Sequence, residues 1–321
     1  MAHVTEPGAD VVGAAIDIGS NSVHLLVAGL ARKAGPGRRM LTPIVDRSEL
    51  LGLGEVVDAH GAIPGDVRAQ IVDTVAGYRT LAQEAGALNL TLIGTEPLRR
   101  AANAELVAAD LLDTTGQELH VIDVEQEAKL NFLGVTEGRT PTQPMMVVDI
   151  GGGSTEVSLY LPNMSLDVVA IPLGSARLTA AHVIHDPPTE EELENLHDAV
   201  ATIRGRLPAS TFFGDRNDVV SVFVGGTATN VARLGVLSRA ALAQDRRLLA
   251  QLDAAAIMEQ FGVRPRRAPQ LAAGAAIIDV LLQHFGLDHA VSSAASLRDG
   301  AIIAAWRLGA EWPTRLGELL G

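Results

Sequence analysis

The sequence predicts an α/β protein with two lobes, and three observations carry that expectation. First, a short loop is written twice, as Ile16-Asp17-Ile18-Gly19-Ser20-Asn21-Ser22 and as Val148-Asp149-Ile150-Gly151-Gly152-Gly153-Ser154, 132 residues apart. Aspartate, isoleucine, glycine and serine match between the copies. Second, each copy lies between two strand-like apolar runs: Val11 to Ile18 and Val23 to Leu30 around the first, Met146 to Ile150 and Val157 to Leu161 around the second. Each is read as a strand, a tight turn and a returning strand. Third, strand-like and helix-like runs alternate beyond each hairpin, which is the pattern of an α/β fold. A length of 321 residues suits two domains.

After the first hairpin, Gly35-Pro36-Gly37 marks a turn, and Gly52-Leu53-Gly54 and Gly61 to Gly65 mark a loop. Asp66 to Ala85 places Val67, Ile71, Val75, Tyr78 and Leu81 at helical spacing. Leu88 to Ile93 is a strand ending at Gly94-Thr95, Ala101 to Leu112 a helix, Leu119 to Val124 a strand, and Glu125 opens a helix through Leu133. Thr140 to Pro144 is a linker. In the second half the hairpin extends into a strand at Leu166 to Ile171. Thr189 with Glu192 reads as a capping box opening a helix that reaches about Leu207. Val219 to Val224 is a strand that runs into Gly225-Gly226-Thr227 and a helix through Leu237. Gln270 to Phe285 is a helix, Ala290 to Ser293 a strand, and Leu297 to Leu308 a closing helix. Domain bounds are expected at 1–128 and 129–321, with the last helix free to pack back on the first lobe.

Composition narrows the function classes. Hydrophobic residues make up 47% and aromatics only 3%, so the core is built from Ala, Val, Leu and Ile. The absence of cysteine excludes disulfides, thiolate catalysis and cysteine-ligated zinc. No basic leader opens the chain and no apolar run spans about 18 residues, so a cytoplasmic protein with no membrane partner is expected. A net charge of −13 argues against general nucleic-acid binding. Lys33 and Lys129 are the only lysines. The other basic residues are arginines, with local clusters at Arg38-Arg39, Arg99-Arg100 and Arg264, Arg266, Arg267. Arginine suits bidentate pairing with phosphate oxygens. The P-loop, nucleophile-elbow and zincin patterns are all absent.

Glycine and serine loops let a backbone approach a ligand and aim N–H groups at phosphate oxygens. Gly19, Ser20, Asn21 and Ser22 in the first copy, and Gly151, Gly152, Gly153, Ser154 and Thr155 in the second, are therefore phosphate-cradle candidates. Hydroxyls of Ser20, Ser22, Ser154 and Thr155 would add donors. Asp149 and Glu156 stand on facing strands, where two carboxylates suit a magnesium ion or another divalent cation that bridges to phosphate. Asp17 is the equivalent residue in the first copy. Asp17 and Asp149 are equally readable as turn-initiating aspartates that satisfy loop N–H groups.

The chain resembles the exopolyphosphatase / guanosine-pentaphosphate phosphohydrolase family of the actin, Hsp70 and sugar-kinase superfamily. The resemblance rests on an ordered set of motifs that covers nearly the whole chain: Asp17 to His24, Gly94 to Ala101, Glu125 to Lys129, Val148 to Glu156, Leu173 to Thr179, Gly225 to Thr227 and Leu297 to Gly300. It implies two ribonuclease-H-like (actin-like ATPase) lobes with a cleft between them. The activity it implies is hydrolysis of the terminal phosphoanhydride of inorganic polyphosphate, with guanosine pentaphosphate as the other substrate. A non-hydrolytic binder of polyphosphate or guanosine tetraphosphate, and an ATP-dependent kinase or chaperone, are the competing classes. A homodimer is compatible with the family. Gln126 departs from an acidic run that often has three glutamates, and Gly226-Thr227-Ala228-Thr229 departs from the usual third glycine motif.

The same resemblance assigns roles. Glu127, the residue before Ala128, takes the place of the catalytic general base, with Glu125 as the alternate. From spacing alone Glu127 is also an ordinary helix-start acid. Arg99 resembles a phosphate-binding catalytic arginine. Gly226, Thr227 and Arg298 fall in further phosphate-binding motifs, and Arg177 in another. His24 stands where the second copy has Glu156, and reads either as a phosphate contact or as a strand histidine with a local partner. His182, His185 and His197 show no metal-ligand spacing and are expected at the surface.

Overall fold

A computed structural model describes residues 11–31, 40–162, 164–214, 216 and 218–320. The expected turn at Gly35-Pro36-Gly37, together with Lys33, Arg38 and Arg39, lies outside the described residues. The chain folds as two units: residues up to Arg139 joined by Leu297–Leu320, and Thr140–Ser296.

Unit 1 begins with an antiparallel meander of β1 (Val11–Ile18), β2 (Ser22–Leu30) and β3 (Leu41–Leu50). Helices α1 (Leu53–His60) and α2 (Gly65–Glu84) follow, then β4 (Leu90–Gly94), the single turn α3 (Glu96–Arg100), α4 (Ala104–Thr115), β5 (Leu119–Val121) and α5 (Val124–Val135). The sheet order is β3-β2-β1-β4-β5, with β4 and β5 parallel to β1. Side chains of β1 and β2 alternate between two apolar layers, as the pleat requires. Ala14, Ile16, Ile18, Val23, Leu25 and Val27 join α2 and α4 on one face, while Ala15, Leu26 and Ala28 join the α5 side on the other. Both faces are covered, which is why these strands read as continuous apolar runs.

Unit 2 repeats that topology. It holds β6 (Met145–Ile150), β7 (Thr155–Tyr160), β8 (Asp167–Ile171), α6 (Ser175–His182), α7 (Glu190–Ala201), β9 (Val220–Val224), α8 (Gly225–Val231), α9 (Arg239–Leu249), α10 (Ala254–Phe261), α11 (Leu271–His284) and β10 (Val291–Ser292). Its sheet order is β10-β9-β6-β7-β8, again with a meander on one side and two parallel strands on the other. Met146, Val148, Ile150, Val157 and Leu159 pack with α6, α7 and α11 in one core. The alternate residues, Asp149 and Glu156 among them, face the other side of the sheet.

The chain then returns to unit 1 with α12 (Leu297–Leu308) and α13 (Trp312–Arg315). Helix α12 lies against α5 and β1, and Ala301 to Ala305 complete the second apolar layer of unit 1. The expected division at 128/129 falls inside α5, which stays whole and belongs to unit 1. No helix of the described residues is long and apolar enough to cross a membrane.

The two capping boxes are built as their residues dictate: Asp123 with Gln126 opens α5, and Thr189 with Glu192 opens α7. Two expected helices end early. The one from Thr189 gives way to a 3-10 turn at Thr202–Arg206, and the one from Gly225 stops at Val231.

Candidate active site

Each copy of the duplicated loop closes in the same way. Gly19 N–H donates to the Ser22 carbonyl at 3.1 Å, and Gly151 N–H donates to the Ser154 carbonyl at 2.9 Å. These two glycine donors, expected to face phosphate, are therefore spent on the turn. The N–H groups of Ser20 and Asn21 in loop 1, and of Gly152, Gly153 and Ser154 in loop 2, have no acceptor among the described residues. Gly152 and Gly153 are buried. Buried amide hydrogens without acceptors call for a ligand or water, and consecutive ones suit an anion.

Loop 2 is held from behind by its carbonyls. Ser175 N–H donates to Gly151, Ala176 and Arg177 N–H donate to Gly152, and Arg177 Nη1 donates to Gly153 at 2.7 Å. The chain at Gly174 must pass against the loop to do this. A Cβ at Gly174 would lie 2.5–2.6 Å from backbone atoms of Gly152 and Gly153, so only glycine fits. Loop 1 is held by the segment before α1: Leu51 and Gly52 N–H donate to the Asn21 carbonyl, and Gly54 N–H to the Ser20 carbonyl at 2.8 Å.

The four hydroxyls expected as phosphate donors divide. Ser20 Oγ donates to Glu96 Oε2 at 2.9 Å, and Thr155 Oγ1 donates to the Leu173 carbonyl at 2.8 Å. Ser22 Oγ pairs with His24 Nε2 at 2.6 Å. Among the described residues Ser154 is the one of the four whose hydroxyl has no protein partner.

In unit 1, Glu127 is buried in the first turn of α5. Arg99 Nη1 donates to its Oε2 at 2.6 Å and to the Ile122 carbonyl at 3.0 Å. The Nε and Nη2 of Arg99 have no acceptor among the described residues. Glu125 is exposed and pairs with Lys129 at 2.5 Å, so the two candidate acids of the motif differ sharply in setting. Gln126 Oε1 accepts from Asp123 N–H while its Nε2 donates to the Pro313 carbonyl at 2.8 Å. A glutamate could keep the first bond but not the second, which accounts for the amide at this position. Asp17 and His24 are cross-strand partners on the α5 side of the sheet. Arg298 sends its bonds to the Leu25 carbonyl at 3.3 Å and to Asp46 at 2.8 Å, rather than to loop 1.

In unit 2, Asp149 and Glu156 are direct partners across β6 and β7, and a carboxylate oxygen of one lies within 4.8 Å of one of the other. Glu156 is buried and Asp149 half-buried. Gly225, which follows β9, adopts φ 83°, and a Cβ there would run into Asp149 Oδ1. Two hard carboxylates this close, with a glycine keeping one side open, fit a divalent cation by the chemistry of the donors. Like charges at such a distance favour a compensating cation.

Thr227, in the first turn of α8, is buried, and its Oγ1 pairs with Ser175 Oγ at 2.9 Å. Arg267 Nη1 donates to the same Oγ1 and to Gln270 Oε1, each at 3.4 Å. The guanidinium packs over Gly226 and is near enough to Asp149 to feel its charge. Burial and neighbouring Arg264 push Arg267 down to about 10, so it stays cationic at neutral pH. Its place in the site was not read from the sequence, where it appears only as one arginine of a cluster.

A family model described as the Ppx/GppA phosphatase family matches residues 31–307. Exopolyphosphatase 1 of Mycobacterium tuberculosis is 28% identical over 307 residues, which is 90% of this chain and 86% of that protein. A guanosine-5'-triphosphate,3'-diphosphate pyrophosphatase of Pseudoalteromonas translucida is 32% identical over 146 residues, which is 46% of this chain and 28% of that protein. Among solved structures, the Ppx/GppA family member of Aquifex aeolicus gives a TM-score of 0.77 at 28% identity, covering 92% of this chain and 98% of that one. An exopolyphosphatase of Cytophaga hutchinsonii gives a TM-score of 0.77 at 20% identity, over 97% and 99% of the two chains, a likeness of fold alone.

Proposed function

Because the chain belongs to the Ppx/GppA phosphatase family, we propose that it hydrolyses the terminal phosphoanhydride bond of inorganic polyphosphate and releases orthophosphate. The observation that carries this reading is the pair of matched loops, each with N–H groups that no protein acceptor takes. The relatives named exopolyphosphatase match over most of the chain and so support polyphosphate as the substrate. A guanosine pentaphosphate activity rests on the shorter match to the guanosine pyrophosphatase and is the second reading.

In this reading the N–H groups of Ser20, Asn21, Gly152, Gly153 and Ser154 bind phosphoryl oxygens. Arg99 places its unspent nitrogens on the reacting phosphoryl group, and Arg267 adds a second cation. Glu127 accepts a proton from water as the water oxygen bonds to the terminal phosphorus. The bridging P–O bond then breaks, and the remaining chain leaves as a phosphate anion. Asp149 and Glu156 would hold magnesium, which supplies positive charge against the phosphate oxygens. Asp17, the matching residue of unit 1, has His24 rather than a second carboxylate as its cross-strand partner.

The test is phosphate release from tripolyphosphate, long polyphosphate, guanosine pentaphosphate and ATP, with and without magnesium. Release from polyphosphate that needs magnesium is expected. Tight binding with no release would establish a non-hydrolytic binder. Preferential release from guanosine pentaphosphate would move the assignment to the second reading.

A further inference from the structure

Building on the function just assigned, we propose that Glu96 is a positioning residue for loop 1, held on the same short helix α3 whose Arg99 meets Glu127. Glu96 is the first residue of α3 and is only 7% exposed. Its Oε2 accepts the Ser20 hydroxyl proton at 2.9 Å, and its Oε1 accepts from Arg100 Nη1 at 2.8 Å. Arg100 also pairs through Nη2 with Asp58 on α1. The N-terminal turn of α1 closes the circuit, because Gly54 N–H donates to the Ser20 carbonyl. Ser20 is thus gripped at its carbonyl by α1 and at its hydroxyl by α3, and α1 and α3 are themselves joined by the Arg100–Asp58 pair.

The next side chain along α3 turns elsewhere. Arg99 meets Glu127 at 2.6 Å. A single helical turn therefore fixes both the loop that offers N–H groups to phosphate and the carboxylate that receives the proton from water. The anchor of that turn is set by the fold: Thr95 N–H and Thr95 Oγ1 both donate to the Ile18 carbonyl at the end of β1.

The chemistry of Ser20 follows. A serine hydroxyl has one proton, and here it goes to Glu96. Ser20 then serves a phosphate oxygen only through its backbone N–H. Removing Glu96 and removing the Ser20 hydroxyl both cut the one link from this carboxylate to loop 1, so their losses of phosphate binding should not add.

The experiment is a double-variant cycle on the full chain, using tripolyphosphate for both calorimetric binding and turnover. Glu96→Ala and Ser20→Ala should each weaken tripolyphosphate binding and raise KM by about tenfold, with kcat changed by less than about threefold. The double variant should stay near tenfold rather than reach the roughly hundredfold product expected of independent sites. Glu96→Gln, which keeps an acceptor for Ser20, should recover most of the loss. If Glu96→Ala fails to fold, Ser20→Ala still tests the link, and tripolyphosphate binding and KM equal to wild type in that variant would overturn the assignment. Additive losses, or Glu96→Gln as impaired as Glu96→Ala, would overturn the assignment while wild-type hydrolysis left the function standing. A wild-type chain that neither binds nor hydrolyses tripolyphosphate would overturn both.

Discussion

Arg99 and Glu127 lie 28 residues apart in sequence and share a 2.6 Å hydrogen bond between Nη1 and Oε2. The bond fixes the direction of a carboxylate that is buried in the first turn of α5. Glu127→Gln keeps an oxygen for Arg99 but gives up the basic carboxylate. We expect kcat for phosphate release to fall by about 10²–10⁴-fold, the usual worth of a positioned general base, with KM for tripolyphosphate nearly unchanged. Arg99→Lys keeps a charge but loses the planar fork, so it should lower kcat and raise KM together. Full turnover in Glu127→Gln would remove this residue as the base.

Asp149 and Glu156 face each other across β6 and β7 with oxygens inside 4.8 Å. In the proposed reading they hold a cation jointly, and without one their charges repel. Magnesium should therefore raise the thermal midpoint of the wild-type chain by mass action. In Glu156→Gln that rise should shrink, and the magnesium needed for half-maximal activity should increase by about tenfold or more, the size of change that loss of one ligand interaction worth about 1.4 kcal/mol brings. Without magnesium the same variant should be at least as stable as wild type, because the repulsion is gone. Thermal unfolding across a magnesium series checks both signs. A magnesium response in Glu156→Gln equal to that of wild type would remove this pair as the cation site.

The hairpins, α2 and α12 were legible because their patterns are local: apolar runs bounded by turns, or apolar residues three and four apart. Strand β3 was missed because it is an edge strand with both faces mostly exposed and Pro43 within it, so no alternation shows. Helix α1 was hidden between glycines that cap it, Gly52 and Gly61, which read as loop. The candidate site's pairing was legible where one short motif holds both partners, as at Asp149 and Glu156. It was illegible where the partner is distant. Nothing near Ser20 announces Glu96, 76 residues away, and nothing near Thr227 announces Arg267, 40 residues away. The direction of a hydroxyl, decisive for Ser20 and Thr155, is set by those distant partners.

Gly174 offers a test of loop 2 that touches no charged group. A Cβ there would meet backbone atoms of Gly152 and Gly153 at 2.5–2.6 Å, and backbone cannot yield as a side-chain tip can. Gly174→Ala should displace the loop, weaken tripolyphosphate binding by about tenfold or more and destabilise unit 2 by roughly 1–3 kcal/mol, the usual cost of overpacking. Gly205→Ala, at a position with open space, is the matched control and should bind as wild type does. Binding calorimetry on both variants decides. Equal affinity in the two would show that the N–H groups of loop 2 do not hold phosphate.

Asp245 predicts a pH dependence of stability separate from the site. It sits in the middle of α9, 6% exposed, and its Oδ2 has no hydrogen-bond partner. Burial pushes its carboxyl up to about 6, from an ordinary value of 3.8. The folded form thus holds the proton more tightly than the unfolded chain does. Its stabilising contribution is fully present below about pH 4 and is lost as pH rises through about 6. Asp245→Asn keeps the shape and cannot ionise, so it should be more stable than wild type at pH 7–8, by on the order of 1–2 kcal/mol. The gap should close as pH falls towards 4. Denaturant unfolding of both proteins across this range checks the slope, and a gap that stays constant with pH would show that Asp245 ionises as freely in the folded chain as in the unfolded one.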